Sequence, residues 1–212
     1  MSGLEIVAVI VSALAVWLTA RRNIWCWPVG CVSVMFYSQI FFDAKLYSDL
    51  LLQLIFFVMQ LYGWWHWTRN RTHSQTLPDT SRDEDKVHIM PRRLSVAGCW
   101  VGLMIGAAGS LLLGYVMARF TDAHIPWLDS ALTSFSLVAQ YWMARKYIAN
   151  WWLWIAVDVI YIGVYVYKDL QLTAGLYAMF IILAIVGLRN WRRELLQYES
   201  ATPSVSLAAQ NY

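Results

Sequence analysis

The chain has 212 residues, of which 59% are hydrophobic and only 14% are charged. Soluble domains are about 45–50% apolar and about 25% charged, so this composition excludes a disordered chain, a nucleic-acid-binding domain and an ordinary cytosolic enzyme. The net charge of +3 is too small to indicate a nucleic-acid partner. Thirteen Trp, twelve Tyr and eight Phe suit a membrane protein that also needs a stacking site.

Seven apolar stretches are each long enough to cross a bilayer, which takes about 20 helical residues, or about 17 at the short end. They run in chain order over Leu4–Ala20, Ile24–Phe42, Leu46–Trp67, Leu94–Ala118, Trp127–Ala144, Trp151–Lys168 and Leu172–Trp191. We therefore predict an all-α integral membrane protein with seven transmembrane helices embedded in the lipid bilayer. Residues 68–93 are polar and predict a solvated cytoplasmic linker, and residues 197–212 predict a loose polar cytoplasmic tail.

Basic residues distinguish the two sides of the membrane. Thirteen of the sixteen Lys and Arg residues lie in the connections after the first, third and fifth stretches or at the C-terminal end of the seventh stretch. The opposite side holds only Lys45, Arg119 and Lys168. Because cytoplasmic loops carry the excess of Lys and Arg, we predict a periplasmic N-terminus and a cytoplasmic C-terminus. The first stretch has no basic residue before it, so a cleaved signal peptide is not expected.

Two segments of the chain resemble each other. Asn23-Ile-Trp25-Cys-Trp27 and Asn150-Trp-Trp152-Leu-Trp154 match at an offset of 127, and each follows a basic pair. Gly63 also matches Gly187 near the ends of the third and seventh stretches. These matches predict a 3+1+3 parallel repeat, with residues 1–67 as the first three-helix unit and residues 119–196 as the second. The stretch in residues 94–118 is then a linker helix, which lets both units point the same way across the membrane.

One acidic residue lies in the middle of a predicted span. Asp158 is the eighth residue of the sixth stretch, and a charge at that depth costs about 2.5–3.5 kcal/mol, so it usually marks a cavity or a partner. Trp151, Trp154, Asp158 and Tyr161 fall at i, i+3, i+7 and i+10, which places them on one helix face. A carboxylate among aromatic rings suits a flat organic cation. The alternative is that Asp158 bonds a neighbouring helix while the aromatic rings pack.

Other polar residues within the spans are weaker candidates for a substrate site. Gln53, Gln60 and Trp64 share one face of the third stretch at i, i+7 and i+11. The two amides can donate and accept hydrogen bonds to sugar hydroxyls or a pyrimidine edge, or they can hold helices together. Tyr37 in the second stretch and Gln140 in the fifth complete the predicted binding set.

The sequence predicts neither a metal site nor a cofactor site. Its three Cys and four His show no metal-ligand spacing, and no phosphate-binding loop is present. An intramembrane enzyme that uses Asp158 with a His is disfavoured, because no His lies at the same depth. A membrane-embedded binding or sensor subunit without transport remains open as an alternative from another class.

Longer motifs resemble the PnuC family of bacterial vitamin transporters. They comprise Asn23-Ile-Trp25-Cys-Trp27-Pro28-Val-Gly30, Tyr37 with Ile40-Phe41-Phe42, Leu46-Tyr47-Ser-Asp49-Leu-Leu-Leu-Gln53, Tyr62-Gly63-Trp64-Trp65-His-Trp67, and in the second half Arg145-Lys146-Tyr147, Asn150-Trp151, Trp151-x-x-Trp154-x-x-x-Asp158 and Gly187 to Trp191. The resemblance implies a 3+1+3 fold like that of the SWEET sugar transporters. It also implies uptake of a B-vitamin across the bacterial inner membrane by facilitated diffusion, trapping of the product by a cytoplasmic vitamin kinase, and a homotrimer.

The resemblance leaves two cationic substrates open, thiamine and nicotinamide riboside. Members of the nicotinamide riboside branch carry Asn where this chain has Asp158. Thiamine has an aminopyrimidine that can use a carboxylate or amide edge and a thiazolium that can stack on Trp. We therefore expect thiamine, narrowly, with nicotinamide riboside as the alternative.

Overall fold

A computed structural model describes residues 3–43, 47–76, 90–120, 125–167 and 171–201. Nearly all of them belong to seven helices, α1 Gly3–Ala20, α2 Cys26–Asp43, α3 Tyr47–Thr76, α4 Val96–Phe120, α5 Pro126–Ala144, α6 Ala149–Tyr167 and α7 Gln171–Ala201. These described ranges contain no strand, and one isolated bridge joins Arg92 to Tyr147. The prediction of an all-α chain with seven helices is confirmed, and each predicted stretch lies almost wholly within one helix.

Two helices continue well beyond the apolar stretches that predict them. α3 extends to Thr76 into the expected linker, and α7 extends to Ala201 into the expected tail. Hydropathy locates only the apolar part of a helix, whereas the backbone stays helical until a residue breaks it. Pro78 and Pro203, which cannot continue a helix, follow both ends within two residues. The linker residues 77–89 and the tail residues 202–212 lie outside the described residues.

Apolar length differs among the helices. Within the described residues, Val96–Phe120 and Ala174–Ser200 are long and apolar enough to cross a membrane, and Ile6–Ala20 and Ala149–Val164 are shorter apolar helices. Large apolar side chains cover much of the outer surface, including Trp100, Met104 and Leu112 of α4. An exposed apolar surface of this extent is what a bilayer solvates and what water does not.

Six of the helices form a closed ring. Neighbours along the ring are α1, α2, α3, α5, α6 and α7, and α7 returns to contact α1. α4 lies outside this ring and packs on α5. The two contacts that close the ring, α1 with α7 and α3 with α5, join the first three helices to the last three. We call these two groups the first half (α1–α3) and the second half (α5–α7).

Small residues let α4 approach α5 closely. A Cβ built on Gly102 would lie against the Trp142 indole, and one built on Gly106 would lie 2.6 Å from Phe135 Cε1. Gly114 makes the same kind of contact with Trp127. Glycines at four-residue and eight-residue intervals form a groove that receives large side chains from the neighbouring helix, as is common between membrane helices.

Candidate functional site

Four indole rings close one end of the six-helix ring. Trp27, Trp67, Trp151 and Trp191 are each at most 3% exposed and belong to one apolar cluster. They lie at the start of α2, in α3, at the start of α6 and in α7, beside the Arg21–Arg22 and Arg145–Lys146 turns. We call these four residues the Trp quartet and this end of the bundle the basic end. The four packed rings of the Trp quartet close the basic end.

Each half contributes the same pair of rings with the same geometry. Trp27 and Trp67 meet edge to face, with ring centroids 5.3 Å apart and an interplanar angle of 82°. Trp151 and Trp191 meet edge to face at 5.3 Å and 85°. Trp67 and Trp191 join the two pairs at 6.4 Å. Edge-to-face pairs of this kind are worth about 0.5–1.5 kcal/mol beyond the area they bury.

A glycine in each half, which we call the glycine seat, makes room for one of the indoles. A Cβ built on Gly63 would overlap the six-membered ring of Trp27, and one built on Gly187 would overlap that of Trp151. Each glycine therefore allows the following helix to approach an indole of the preceding one. The predicted match of Gly63 with Gly187 agrees with these contacts.

Hydrogen bonds connect the halves at the basic end. The Trp67 indole N–H donates to the Ala144 carbonyl at 3.0 Å, and that of Trp191 donates to the Thr19 carbonyl at 3.3 Å. An ion pair between Arg22 Nε and Glu194 Oε2 at 2.5 Å adds a further link. Because every one of these contacts crosses between α1–α3 and α5–α7, the basic end opens only if they break.

The local geometry matches the halves at an offset of 124, whereas the Asn-Trp segments match by residue type at an offset of 127. Arg22 and Lys146 both have a left-handed backbone, with φ of 52° and 61°. Asn23 N–H donates to the Leu18 carbonyl and Tyr147 N–H to the Trp142 carbonyl, both at 2.9 Å. Tyr147 thus occupies the place of Asn23. Residue type matches Asn23 with Asn150, but the backbone geometry of the turn before each helix matches Asn23 with Tyr147.

The predicted stripe on α6 lies on a continuous helix, with Asp158 at its centre. Asp158 is 5% exposed. Within the described part of the chain, no residue hydrogen-bonds to its carboxylate or forms an ion pair with it. A carboxylate that is removed from solvent and has no protein partner is expected to bind a cation or a donor when the protein works.

The aromatic members of the stripe have different surroundings. Trp151 packs within the closed quartet, so in this conformation its ring is occupied by protein. Trp154 is half-buried, and Tyr161 contacts Tyr177 of α7 with centroids 4.8 Å apart. Trp154 and Tyr161 therefore flank Asp158 as the aromatic groups nearest to it along the helix face.

The predicted α3 residues divide between the interior and the surface. The Gln60 side chain lies over Gly30 of α2, and its Nε2 is 2.6 Å from the position of a Cβ built there. Gln53 is half-buried, whereas Trp64 is 39% exposed on the outer surface. Gly30 went unrecognised as the residue that seats Gln60, because in the sequence it indicates only a helix kink.

Tyr37 and Gln140 complete the predicted set. Tyr37 is half-buried and has a partner in the structure. Gln140 is 3% exposed, and its Nε2 has no hydrogen-bond partner among the described residues. A buried amide N–H left without a partner is costly and is available to a ligand. The described residues also contain no group of three or more His, Cys, Asp or Glu residues able to hold a metal ion.

Comparison with known proteins gives consistent matches over most of the chain. A family described as nicotinamide mononucleotide transporter matches residues 2–193. The nicotinamide riboside transporter PnuC of Escherichia coli (strain K12) is 27% identical over 213 residues, covering 90% of this chain and 85% of that protein. PnuC of Neisseria mucosa is 25% identical, covering 91% and 73%. The riboflavin/roseoflavin transporter RibM of Streptomyces davaonensis is 23% identical, covering 88% and 83%.

A solved structure has the same fold. The crystal structure of the vitamin B3 transporter PnuC superposes with a TM-score of 0.70 at 22% identity, covering 92% of this chain and 83% of that one. The resemblance seen in the motifs is thereby confirmed. The chain belongs to the nicotinamide mononucleotide transporter family, which includes PnuC, and it is a transporter and not an enzyme.

Proposed function

We propose that this protein imports a cationic B-vitamin across the bacterial inner membrane, with nicotinamide riboside as its first substrate. The named activity of its relatives in Escherichia coli and Neisseria mucosa supports this choice. The observation that supports a cationic substrate is the state of Asp158. This residue is buried, lies near the middle of α6 and has no protein partner among the described residues. Nicotinamide riboside is a permanent cation with a flat ring, and it complements such a carboxylate.

The binding set divides into charge, stacking and polar recognition. Asp158 pairs with the positive ring, and Trp154 and Tyr161 supply π faces on either side of it along α6. Gln60, seated on Gly30, and Gln140 offer amide groups for the ribose hydroxyls. Gln53, Tyr37, Trp64 and Trp151 remain predicted members of the site.

Thiamine is the second candidate, and one residue favours it. The resemblance of the motifs implies Asn at the position of Asp158 in the nicotinamide riboside branch of the family. A carboxylate can accept hydrogen bonds from the aminopyrimidine of thiamine, and it can also balance the thiazolium charge. The named activity of the relatives makes nicotinamide riboside the better supported substrate, whereas the carboxylate of Asp158 favours thiamine.

The architecture that we propose is a 3+1+3 parallel repeat of the SWEET type, with α4 as the linker helix. Its support is the shared geometry of the halves, namely equal Trp pairs, equivalent glycine seats and equivalent left-handed turns at an offset of 124. The excess of basic residues at the basic end supports a cytoplasmic location for that end and for the C-terminus, and a periplasmic N-terminus.

Transport proceeds by alternating access in this proposal. The vitamin enters from the periplasm and binds at Asp158, the halves then rock against each other, and the basic end opens to the cytoplasm. A monocation carried inward gains about 2.3 kcal/mol per 100 mV of inside-negative potential. Trapping by a cytoplasmic vitamin kinase would keep the product inside. Assembly as a homotrimer stays a prediction.

The experiment that tests this function is uptake by proteoliposomes that contain only this protein. We expect radiolabelled nicotinamide riboside to enter in a saturable way, and faster when a potassium diffusion potential makes the interior negative. Uptake of thiamine, measured in parallel vesicles, shows which of the two vitamins the protein transports better. Binding without any flux of either vitamin would support the sensor alternative and contradict transport. Equal uptake in polarised and depolarised vesicles would contradict net charge movement.

A further inference from the structure

The last residues of the connection between α3 and α4 lie across the basic end. Pro91 is fully buried, although the surrounding segment is polar in sequence. The Arg92 N–H donates to the Lys146 carbonyl at 2.9 Å, and the Ile148 N–H donates to the Arg92 carbonyl at 3.0 Å. The Arg92 guanidinium also lies over the Tyr147 ring, at 5.7 Å from its centroid. Met90–Arg93 is therefore fixed to the turn between α5 and α6.

The same four residues contact the first half and the end of α7. Arg22, in the turn between α1 and α2, donates from Nη1 to the Met90 sulfur at 3.7 Å. Arg93 Nη2 forms an ion pair with Glu199 Oε2 at 3.0 Å. A short segment thus joins the two turns, Arg21–Arg22 and Arg145–Lys146, that precede the first Trp of each half.

The turn held by this segment also holds the Trp quartet. The Lys146 side chain is buried, and its ammonium lies 4.4 Å from the centroid of a Trp67 ring. Its backbone carbonyl accepts the Arg92 N–H. Among the described residues of the first half, Arg22 stands at the matching position, and its side chain pairs with Glu194 instead. Movement of the Lys146 turn away from the first half therefore breaks either its bonds to Arg92 or the contact of Met90 with Arg22.

From these contacts we infer that Met90–Arg93 is a latch that holds the basic end closed, and that its release sets the rate at which bound vitamin leaves the protein. This inference rests on the proposed function for its direction. The latch residues do not touch the vitamin. They position the Lys146 turn, and through it the Trp quartet. Changing them should therefore alter the transport rate and leave the affinity for the vitamin unchanged.

A reversible cross-link tests the latch. Arg92 and Tyr147 form an isolated bridge, and bridged residues lie within the Cα separation that a disulfide spans. R92C with Y147C can therefore be joined in a chain carrying C26A, C31A and C99A. We expect the oxidised protein to bind vitamin with unchanged affinity but to transport at least about tenfold more slowly, and a reductant to restore transport in the same vesicles. Equal transport before and after reduction would overturn the latch.

A second measurement needs no vitamin, and it therefore separates failure of the latch from failure of the proposed function. Cys26 is 3% exposed and belongs to the same apolar cluster as the Trp quartet, so it reports opening of the basic end. In a C31A, C99A background, Arg92→Pro removes the N–H that bonds Lys146, whereas Arg92→Ala keeps it and loses only the guanidinium.

We expect a membrane-impermeant thiol reagent, applied from the cytoplasmic side, to label Cys26 about fivefold faster in the Arg92→Pro protein than in the Arg92→Ala protein. This is the effect of one hydrogen bond of typical net strength. Equal labelling rates would overturn the latch even if transport is confirmed. Faster labelling in the Pro variant, with no vitamin flux in the unmodified protein, would support the latch and contradict the proposed substrate.

Discussion

The first and second halves of the ring are alike at the basic end and different at mid-membrane. At the basic end, each half presents an edge-to-face Trp pair, a glycine seat and a left-handed turn. Toward the middle, the equivalence ends. Asp158 has Val34 as its counterpart at the offset of 124, Trp154 has Gly30, and Ala184 has Gln60.

This difference separates two tasks. The residues that the halves share pack together at the basic end, where both halves must contribute to closing the bundle. Residues that differ supply one charge, one large ring and one amide within about one helical turn of each other along the bundle. An asymmetric ligand needs asymmetric contacts, so we expect the vitamin to bind where the two halves differ.

The largest expected effect comes from removing the one charge that has no counterpart. Asp158→Ala should lower the apparent affinity for nicotinamide riboside by about a hundredfold, because an interaction with a desolvated charge is lost. Val34→Ala, at the matching position of the first half, is the control and should change affinity little. Proteoliposome uptake at varied vitamin concentration measures both. Equal losses in the two variants would show that the asymmetry is not what binds the cation.

The glycine seats should matter equally in the two halves. Gly63→Ala and Gly187→Ala each force a methyl group into an indole ring, and overpacking of this kind costs about 1–3 kcal/mol. Gly163→Ala is the matched control, since a Cβ there meets no atom within 4 Å. Thermal unfolding of the detergent-solubilised protein should show lower midpoints for the first two variants only. A drop for Gly163→Ala would mean that any added methyl group destabilises this protein.

The indole hydrogen bonds give a smaller effect. Trp67→Phe and Trp191→Phe each remove one N–H donor and leave a buried carbonyl oxygen without that bond, at a cost of about 1–2 kcal/mol. Trp64→Phe, on the outer surface, should leave stability unchanged. The same unfolding assay applies, and unequal effects of the first two substitutions would show that the halves share geometry but not energetics.

The smallest effect is expected from the ion pair. Glu194→Gln removes the pairing with Arg22, whose side chain and that of Glu194 are 24% and 36% exposed. Partly exposed pairs contribute less than about 1 kcal/mol because water and salt screen them. Unfolding at low and high salt should bring the variant and the parent protein closer together as salt rises. A salt-independent difference would indicate a role for Glu194 other than charge.

Much of this description was predictable from the sequence. Apolar stretches located all seven helices, because the bilayer demands about 20 apolar residues per crossing. The face that carries Trp154, Asp158 and Tyr161 followed from helical periodicity alone. The register of the halves was only partly predictable from residue types, because Gly63 matches Gly187 at an offset of 124 whereas Asn23 matches Asn150 at 127. The backbone geometry of the two turns favours 124. The packing of Pro91 across the basic end was hidden as well, since a buried proline in a polar segment has no sequence signature.

Calorimetric titration with a charged and an uncharged form of one ligand tests the central claim most directly. Nicotinamide riboside and its reduced dihydro form have nearly the same shape, but only the first carries a positive ring. If a lone buried carboxylate on α6 selects the cation, the protein binds nicotinamide riboside saturably and the reduced form at least about a hundredfold more weakly. Equal binding of the two forms would show that shape and hydrogen bonding alone recognise the vitamin, and would contradict the role of Asp158.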